Sequence, residues 1–245
     1  MKTIILAAGK GSRLKSEETH TPKVLRKACG RPLLSYVISA PPPHGDDDIY
    51  LVIGYEKEKV IKAFPRYHHV VQEELLGTGH AVLCAKEVLK DYDGELIVIC
   101  GDTPLTRRES IDAMIEHHRK LANACTLLSC RLPKDTVLGR IMRDENGRFT
   151  EIVENAECTP EQKKIHEYNT ATYIFDAKLL FPALDIIVKN STKREIYLTD
   201  VPELLLKQGY KVDAIPCKYP YEIYGVNTEA DLALVEKTMM LHKLV

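Results

Sequence analysis

The sequence predicts an α/β fold, a Rossmann-like, doubly wound, mostly parallel mixed sheet with helices on both faces and a small β-hairpin extension. Three observations carry it. Apolar runs at 2–8, 49–54 and 95–100 have the length of strands buried on both faces. Segments with helical apolar spacing alternate with them, as at 79–90, where Ala81, Val82, Cys84, Ala85, Val88 and Leu89 recur at that spacing. The cluster Asp144-Glu145-Asn146-Gly147 splits residues 139–154 into a hairpin.

The elements follow in order. The strand at 2–8 runs straight into Gly9-Lys10-Gly11, a loop. Residues 32–40 form a helix with Pro32 near its first turn. The stretch Ala40–Asp48, with three consecutive prolines, is a stiff loop and not a domain linker, because the strand at 49–54 follows at once. A short helix at 56–63, a short strand at 69–72, the helix at 79–90 and the strand at 95–100 come next, the last halting at Gly101-Asp102. A helix at 107–121 and a strand at 124–130 complete the alternation. After about residue 131 come the hairpin, a polar loop at 155–166, a strand at 171–175 and helices at 177–188, 199–208 and 228–242.

Size and composition narrow the function classes. For 245 residues and 27.7 kDa, surface scaling gives roughly 11,000 Å² exposed when folded, against about 40,000 Å² for the open chain. That suits one α/β domain and leaves no room for a second full catalytic one. A net charge of −1 argues against a general nucleic-acid binder, which needs a basic field. No stretch approaches the roughly 18 apolar residues that span a bilayer, and the apolar start is too short for a signal peptide. Seven cysteines are an odd number with no C-x-x-C pair. They read as reduced thiols of a cytoplasmic protein, not as a disulfide scaffold or a zinc site.

Three segments bear chemistry. In Leu6-Ala7-Ala8-Gly9-Lys10-Gly11-Ser12-Arg13, a strand delivers the chain into a Gly-rich turn suited to phosphate oxygens. Arg13 can clamp phosphates bidentately, and Lys23 adds a point charge. Lys10, Arg13, Lys15 and Lys23 together make a local anion site on a nearly neutral chain. The third Rossmann glycine position holds Leu14 and no Walker loop is present. In Gln72–Ala81, Gly77 and Gly79 flank Thr78 ahead of a helix; Thr78 either caps that helix or, with Gln72, faces a flat base. Asp102 follows a buried strand, where doubly wound folds place their sites. It is either a turn-stabilising Asp or a Mg²⁺ ligand shared with nucleotide phosphates.

These segments, with PKVL, GDTPL, GRI, IVE, EYN, IYLTD and GVN in this order, resemble the N-acetylglucosamine-1-phosphate uridyltransferases. These are sugar-nucleotidyltransferases of the nucleotide-diphospho-sugar fold, and the resemblance runs from about residue 2 to about residue 240. It implies one nucleotidyltransferase domain over 1–245, with a nucleotide-binding half to about 130, a sugar-binding half over 131–228 and a C-terminal helix at 229–245. Arg13 and Lys23 would be catalytic. Ala8, Gly9, Gly11, Gln72, Gly77 and Thr78 would bind the nucleotide. Gly139, Glu154, Asn169, Glu195, Tyr197 and Thr199 would surround the sugar, and the hairpin would lie over it. Asp102 and Asn227 would ligate Mg²⁺.

The implied reaction joins UTP and N-acetylglucosamine 1-phosphate with release of pyrophosphate. The attacking phosphate is already an anion, so no general base is needed and His80 is expected to be structural. Small-molecule substrates are the implied partners, with no nucleic acid and no membrane; the oligomeric state is open. Three departures stand out. Arg13 and Lys23 are ten positions apart, longer than in the uridyltransferase pattern and closer to the hexose-1-phosphate nucleotidyltransferases. Cys100 stands where many members carry Tyr. The β-helix that acetylates glucosamine 1-phosphate in many bacterial members has no counterpart here, so no acetyltransferase activity is expected. A transferase for another sugar 1-phosphate or NTP, and a silent nucleotide-sugar sensor, are the alternatives; the missing third glycine counts against a dinucleotide oxidoreductase.

Overall fold

The structure is a computed structural model that describes residues 1–14, 16–42, 45–191 and 195–245. Lys15 and the end of the proline loop at 43–44 lie outside these residues. The strands are β1 (Lys2–Ala7), β2 (Lys27–Ala28), β3 (Arg31–Pro32), β4 (Ile49–Ile53), β5 (His68–Val71), β6 (Glu95–Cys100), β7 (Cys125–Arg131), β8 (Arg140–Arg143), β9 (Phe149–Val153), β10 (Glu167–Asp176) and β11 (Val212–Pro216). The helices are α1 (Ser16–Thr19), α2 (Leu33–Ser39), α3 (Lys57–Ala63), α4 (Thr78–Leu83), α5 (Arg108–Leu121), α6 (Ala177–Asn190), α7 (Asp200–Lys207) and α8 (Glu229–Leu241).

The main sheet runs β11-β7-β10-β6-β1-β4-β5. Only β10 runs against its neighbours β6 and β7 along this path; the other neighbours are parallel. Alternate residues of a strand face opposite sides, and here each side has its own core. Ile4 and Val98 pack in one cluster, while Ile5, Ile97 and Ile99 pack in another. Both faces are therefore covered, which is why β1, β4 and β6 read as unbroken apolar runs. The exposed surface, 12,011 Å², is close to the roughly 11,000 Å² expected from size.

The hairpin forms as predicted. Asp144 Oδ1 accepts from the N–H groups of Asn146 and Arg148, at 2.9 and 2.8 Å. Gly147 takes a φ of +77° that glycine adopts without strain. The hairpin joins the sheet where Tyr168 of β10 pairs with Arg140 of β8.

Three elements differ from the periodicity. The helix expected to 90 stops at Leu83, and the chain tightens through Ala85→Val82 and Lys86→Leu83 backbone bonds into a 3₁₀ turn at Glu87–Leu89. The apolar positions Ala85 and Leu89 stay buried through this tighter turn. β10 starts at Glu167, with a register break between Asn169 and Tyr173 where Ala171 takes φ +58°. β11 was not anticipated; its Asp213 and Pro216 hide a five-residue edge strand.

Candidate active site

The sheet sets the site. The chain leaves β1 toward β4 on one side, and leaves β6 toward β7 on the other. A crevice opens at the carboxyl ends of such a strand pair. β1 delivers Ala8 and Gly9 to it, β6 delivers Gly101 and Asp102, and β5, farther along the same edge, delivers Gln72. Gly101 is required by space: a Cβ there would lie 3.0 Å from the Leu6 carbonyl oxygen and 3.1 Å from Val24 Cγ1.

Lys23, Asp102 and Asn227 converge in this crevice. The Lys23 ammonium pairs with Asp102 Oδ2 and donates to Asn227 Oδ1 at 3.1 Å. Backbone links hold the two acceptors near each other, since Val226 N–H donates to the Asp102 carbonyl at 2.9 Å. Asn227 precedes the capping box of α8: the N–H groups of Asn227 and Thr228 both donate to Asp231 Oδ2, and Asp231 N–H donates to Thr228 Oγ1. Gly11, with φ +68°, packs against Lys23; a Cβ there would meet Lys23 Cβ at 2.7 Å. Arg13 is exposed, and its side chain has no partner among the described residues.

Two clefts meet at Cys100 and Asp102. The smaller, about 300 Å³, is lined by Ala8, Gly9, Lys23, Gln72, Gly77 and Thr78, and also by Glu195. The larger, about 580 Å³, is lined by Arg13, Asn169, Tyr224, Asn227 and the loop Lys134–Leu138. Cys100 lines both, and burial, reinforced by Asp102, pushes its pKa up to about 12. It is a neutral thiol there.

The smaller cleft is shaped by close packing of its glycines. Gly77, with φ +98°, has the Ile196 carbonyl oxygen 2.4 Å from where a Cβ would stand, and Gly79 has Ile196 Cγ2 at 2.9 Å. Gly79 N–H donates to Ile196 O, and Ile196 N–H to Leu76 O, both at 2.8 Å. Thr78 does not cap α4: its Oγ1 accepts from Leu198 N–H at 3.0 Å. Gln72 is buried, and its amide nitrogen contacts Gly77 O and His80 Nδ1, each at 3.1 Å. Its amide nitrogen is thereby turned onto the protein, donating to Gly77 O.

The six residues assigned to the sugar divide. Thr199 Oγ1 donates to Glu154 Oε1 at 2.9 Å. A Cβ on Gly139 would approach Glu154 Oε2 to 3.4 Å, and Gly139 O accepts from Asn169 N–H at 2.8 Å. These four residues are thus linked, but only Asn169 lines the larger cleft; Gly139, Glu154 and Thr199 line neither cleft. Asn169 lines the larger cleft, while its amide nitrogen donates to Tyr173 Oη at 2.7 Å and its oxygen accepts from Ala171 N–H. Glu195 instead lines the smaller cleft. Its hydrogen bond with Tyr197, together with burial, pushes the Tyr197 pKa up to about 12.

Arg140 is the residue that sequence reasoning passed over. It is fully buried. Its guanidinium donates to Leu138 O (3.1 Å), Thr136 O (3.2 Å), Asp135 Oδ1 (2.5 Å) and Asn155 Oδ1 (2.8 Å), and lies 5.4 Å from the Tyr168 ring centre. It therefore holds the 135–138 loop that lines the larger cleft. The signal was its place in Gly139-Arg140-Ile141, since an arginine between a glycine and an apolar strand is seldom fully buried unless paired.

Among the described residues no group of three His, Cys, Asp or Glu could hold a metal. The hard oxygens of Asp102 and Asn227, which already converge on one cationic nitrogen, do fit Mg²⁺, which takes one or two protein oxygens and completes its shell with phosphate and water. No helix among the described residues is long and apolar enough to cross a membrane.

Fold and site together define an α/β protein that gathers Lys23, Asp102 and Asn227 at the carboxyl edge of its sheet. Residues 2–219 match the nucleotidyl transferase family, and the chain belongs to that family. It is 44% identical over 240 residues to the bifunctional protein GlmU of Clostridium novyi, covering 97% of this chain and 52% of that protein. It is 40% identical over 237 residues to the GlmU of Halalkalibacterium halodurans, covering 96% and 51%. The chain thus spans about half the length of these curated relatives. A solved structure from Bacillus anthracis, assigned as a glucose-1-phosphate thymidylyltransferase, superposes with a TM-score of 0.74 at 20% identity, covering 97% of this chain and 94% of that one. The chain is a nucleotidyltransferase.

Proposed function

We propose that this enzyme joins UTP to N-acetylglucosamine 1-phosphate, forming UDP-N-acetylglucosamine and pyrophosphate with Mg²⁺ as cofactor. The observation that carries the reading is the pair of clefts meeting at Asp102, with Lys23 and Asn227 at the junction. The nucleoside would occupy the smaller cleft, with Ala8, Gly9, Gly77 and Thr78 around it. The sugar phosphate would occupy the larger one, against Asn169 and the loop Lys134–Leu138.

In the proposed step a sugar-phosphate oxygen forms a new bond to the α-phosphorus of UTP while the bond to the leaving pyrophosphate breaks in line. The chain's task is to bring anions together and to stabilise spreading charge. Arg13 is exposed and uncommitted, suited to the β- and γ-phosphates beside the Gly9–Gly11 turn. Lys23 is the fixed charge at the junction. When bound through Asp102 and Asn227, Mg²⁺ would neutralise phosphate charge.

A second reading within the class takes another sugar 1-phosphate or NTP, and the long Arg13–Lys23 spacing favours it. A panel of NTPs against sugar 1-phosphates, read by pyrophosphate release, separates the two. UTP with N-acetylglucosamine 1-phosphate should give the highest kcat/KM. A higher value for another pair replaces the substrates and keeps the class.

A further inference from the structure

Cys130 is the penultimate residue of β7, and Cys217 follows the last residue of β11. The two strands are parallel with Ser129 opposite Pro216, and Cys217 N–H donates to Ser129 O at 2.7 Å. The next facing pair is therefore Cys130 and Cys217. Neighbouring strands lie about 4.8 Å apart, inside the roughly 4.4–6.8 Å between Cα atoms that a disulfide bridges. The two side chains pack in the same small apolar cluster. Both also reach one turn: Cys217 Sγ donates to Tyr219 O at 3.2 Å and Cys130 Sγ to Pro220 O at 3.4 Å.

That turn leads to the active site. Glu222 anchors it from the other side, accepting from Ser110 Oγ and Arg107 N–H at the start of α5. Ile223 and Tyr224, next along the chain, line the larger cleft and pack with both cysteines in one small apolar cluster. Asn227 lies three residues beyond Tyr224.

We propose that Cys130 and Cys217 are a reversible dithiol–disulfide site set beneath the wall of the larger cleft. The resting state is the dithiol, with all seven cysteines free. Its neighbour Cys130, and burial, hold the Cys217 thiol well above its usual range. The oxidant is a small-molecule disulfide. The partly exposed Cys217 sulfur, on losing its proton, attacks one sulfur of the oxidant and releases a thiolate, which takes up that proton. Cys130 then displaces the second thiolate in the same way. Two electrons pass to the oxidant, one S–S bond breaks and one forms. Both S–H donors to the 219–220 turn are lost in the product.

The test is equilibration of the folded chain in glutathione redox buffers, followed by acid quench, alkylation and mass spectrometry of non-reduced peptides. The expected result is a 130–217 linked peptide whose ratio to the dithiol form rises tenfold for each shift of about 30 mV, the slope of a two-electron couple. It should disappear with dithiothreitol. In Cys217→Ser, Cys130 should stay fully alkylatable, and in Cys130→Ser no linked peptide should form. Glutathione attached to Cys217 with Cys130 still alkylatable, or both thiols unchanged across the series, would overturn the proposal.

Discussion

The Asn227 amide oxygen lies 3.1 Å from the Lys23 ammonium, a contact between residues 204 positions apart. Asp102 pairs with the same ammonium. The nitrogen therefore stands where two acceptors far apart in the chain converge. This gives a direct prediction for both acceptors. Asp102→Ala should lower turnover on the order of 10²–10³-fold or more, and Asn227→Ala should lower it by less, since an amide oxygen carries no full charge. Circular dichroism should show an unchanged fold in both. Turnover equal to wild type in Asp102→Ala would remove the carboxylate from the machinery.

Gly77 is a conformational and steric requirement at once. Ala there would be strained at φ +98° and would press on the Ile196 carbonyl. Gly77→Ala should cost upward of about 2 kcal/mol in denaturant unfolding and should raise the KM for the nucleotide. A loss below about 0.5 kcal/mol would show that the 195–199 segment moves aside.

Glu167 gives a pH signature. Burial pushes its pKa up, but hydrogen bonds from Arg143 and Ser129 and the charges of Arg143 and Arg131 outweigh this and hold it below the usual carboxylate range. Arg143 donates to it at 2.6 and 3.0 Å, Ser129 at 2.7 Å. A depressed folded-state pKa contributes stability that is present above the unfolded pKa and is lost as pH falls through the folded one. Glu167→Gln should therefore cost about 2 kcal/mol at pH 7, and the gap to wild type should close in acid. A gap independent of pH would mean that the contacts, not the charge, carry the effect.

Arg140→Met should free the 135–138 loop and leave Asp135 and Asn155 without their partner. The expected loss is about 1–3 kcal/mol, the cost of leaving hydrogen-bond acceptors without their donor, since the Asp135 side chain itself is exposed. Arg140→Lys keeps the charge but not the fan of donors. It should retain more stability while raising the KM for the sugar phosphate more than it lowers kcat. Equal effects of Lys on both constants would contradict a role through the loop.

Much of this was legible in the sequence, for physical reasons that differ by element. β1 and β6 were readable because strands covered on both faces must be apolar throughout. The hairpin was readable because its Asp-to-Gly turn has specific backbone chemistry. β11 was not, since an edge strand tolerates Asp213 and Pro216. Gln72 and Thr78 line the smaller cleft, but their hydrogen bonds are spent largely on the protein itself, which spacing does not reveal. Asn227 alone is a loop asparagine. Only its resemblance to a motif marked it, and the fold brings it to Lys23. Arg140 escaped because its partners come from the loop before it and from Asn155 beyond the hairpin.

The most direct test of the central proposal is the fate of the α-phosphorus. Incubation with N-acetylglucosamine 1-phosphate, Mg²⁺ and UTP labelled in the α-phosphate should move the label into UDP-N-acetylglucosamine with one pyrophosphate released per labelled product, and Asp102→Ala should leave it in UTP. Label recovered as UMP, or left in UTP by the wild-type chain, would contradict attack of this sugar phosphate on UTP where the two clefts meet at Asp102.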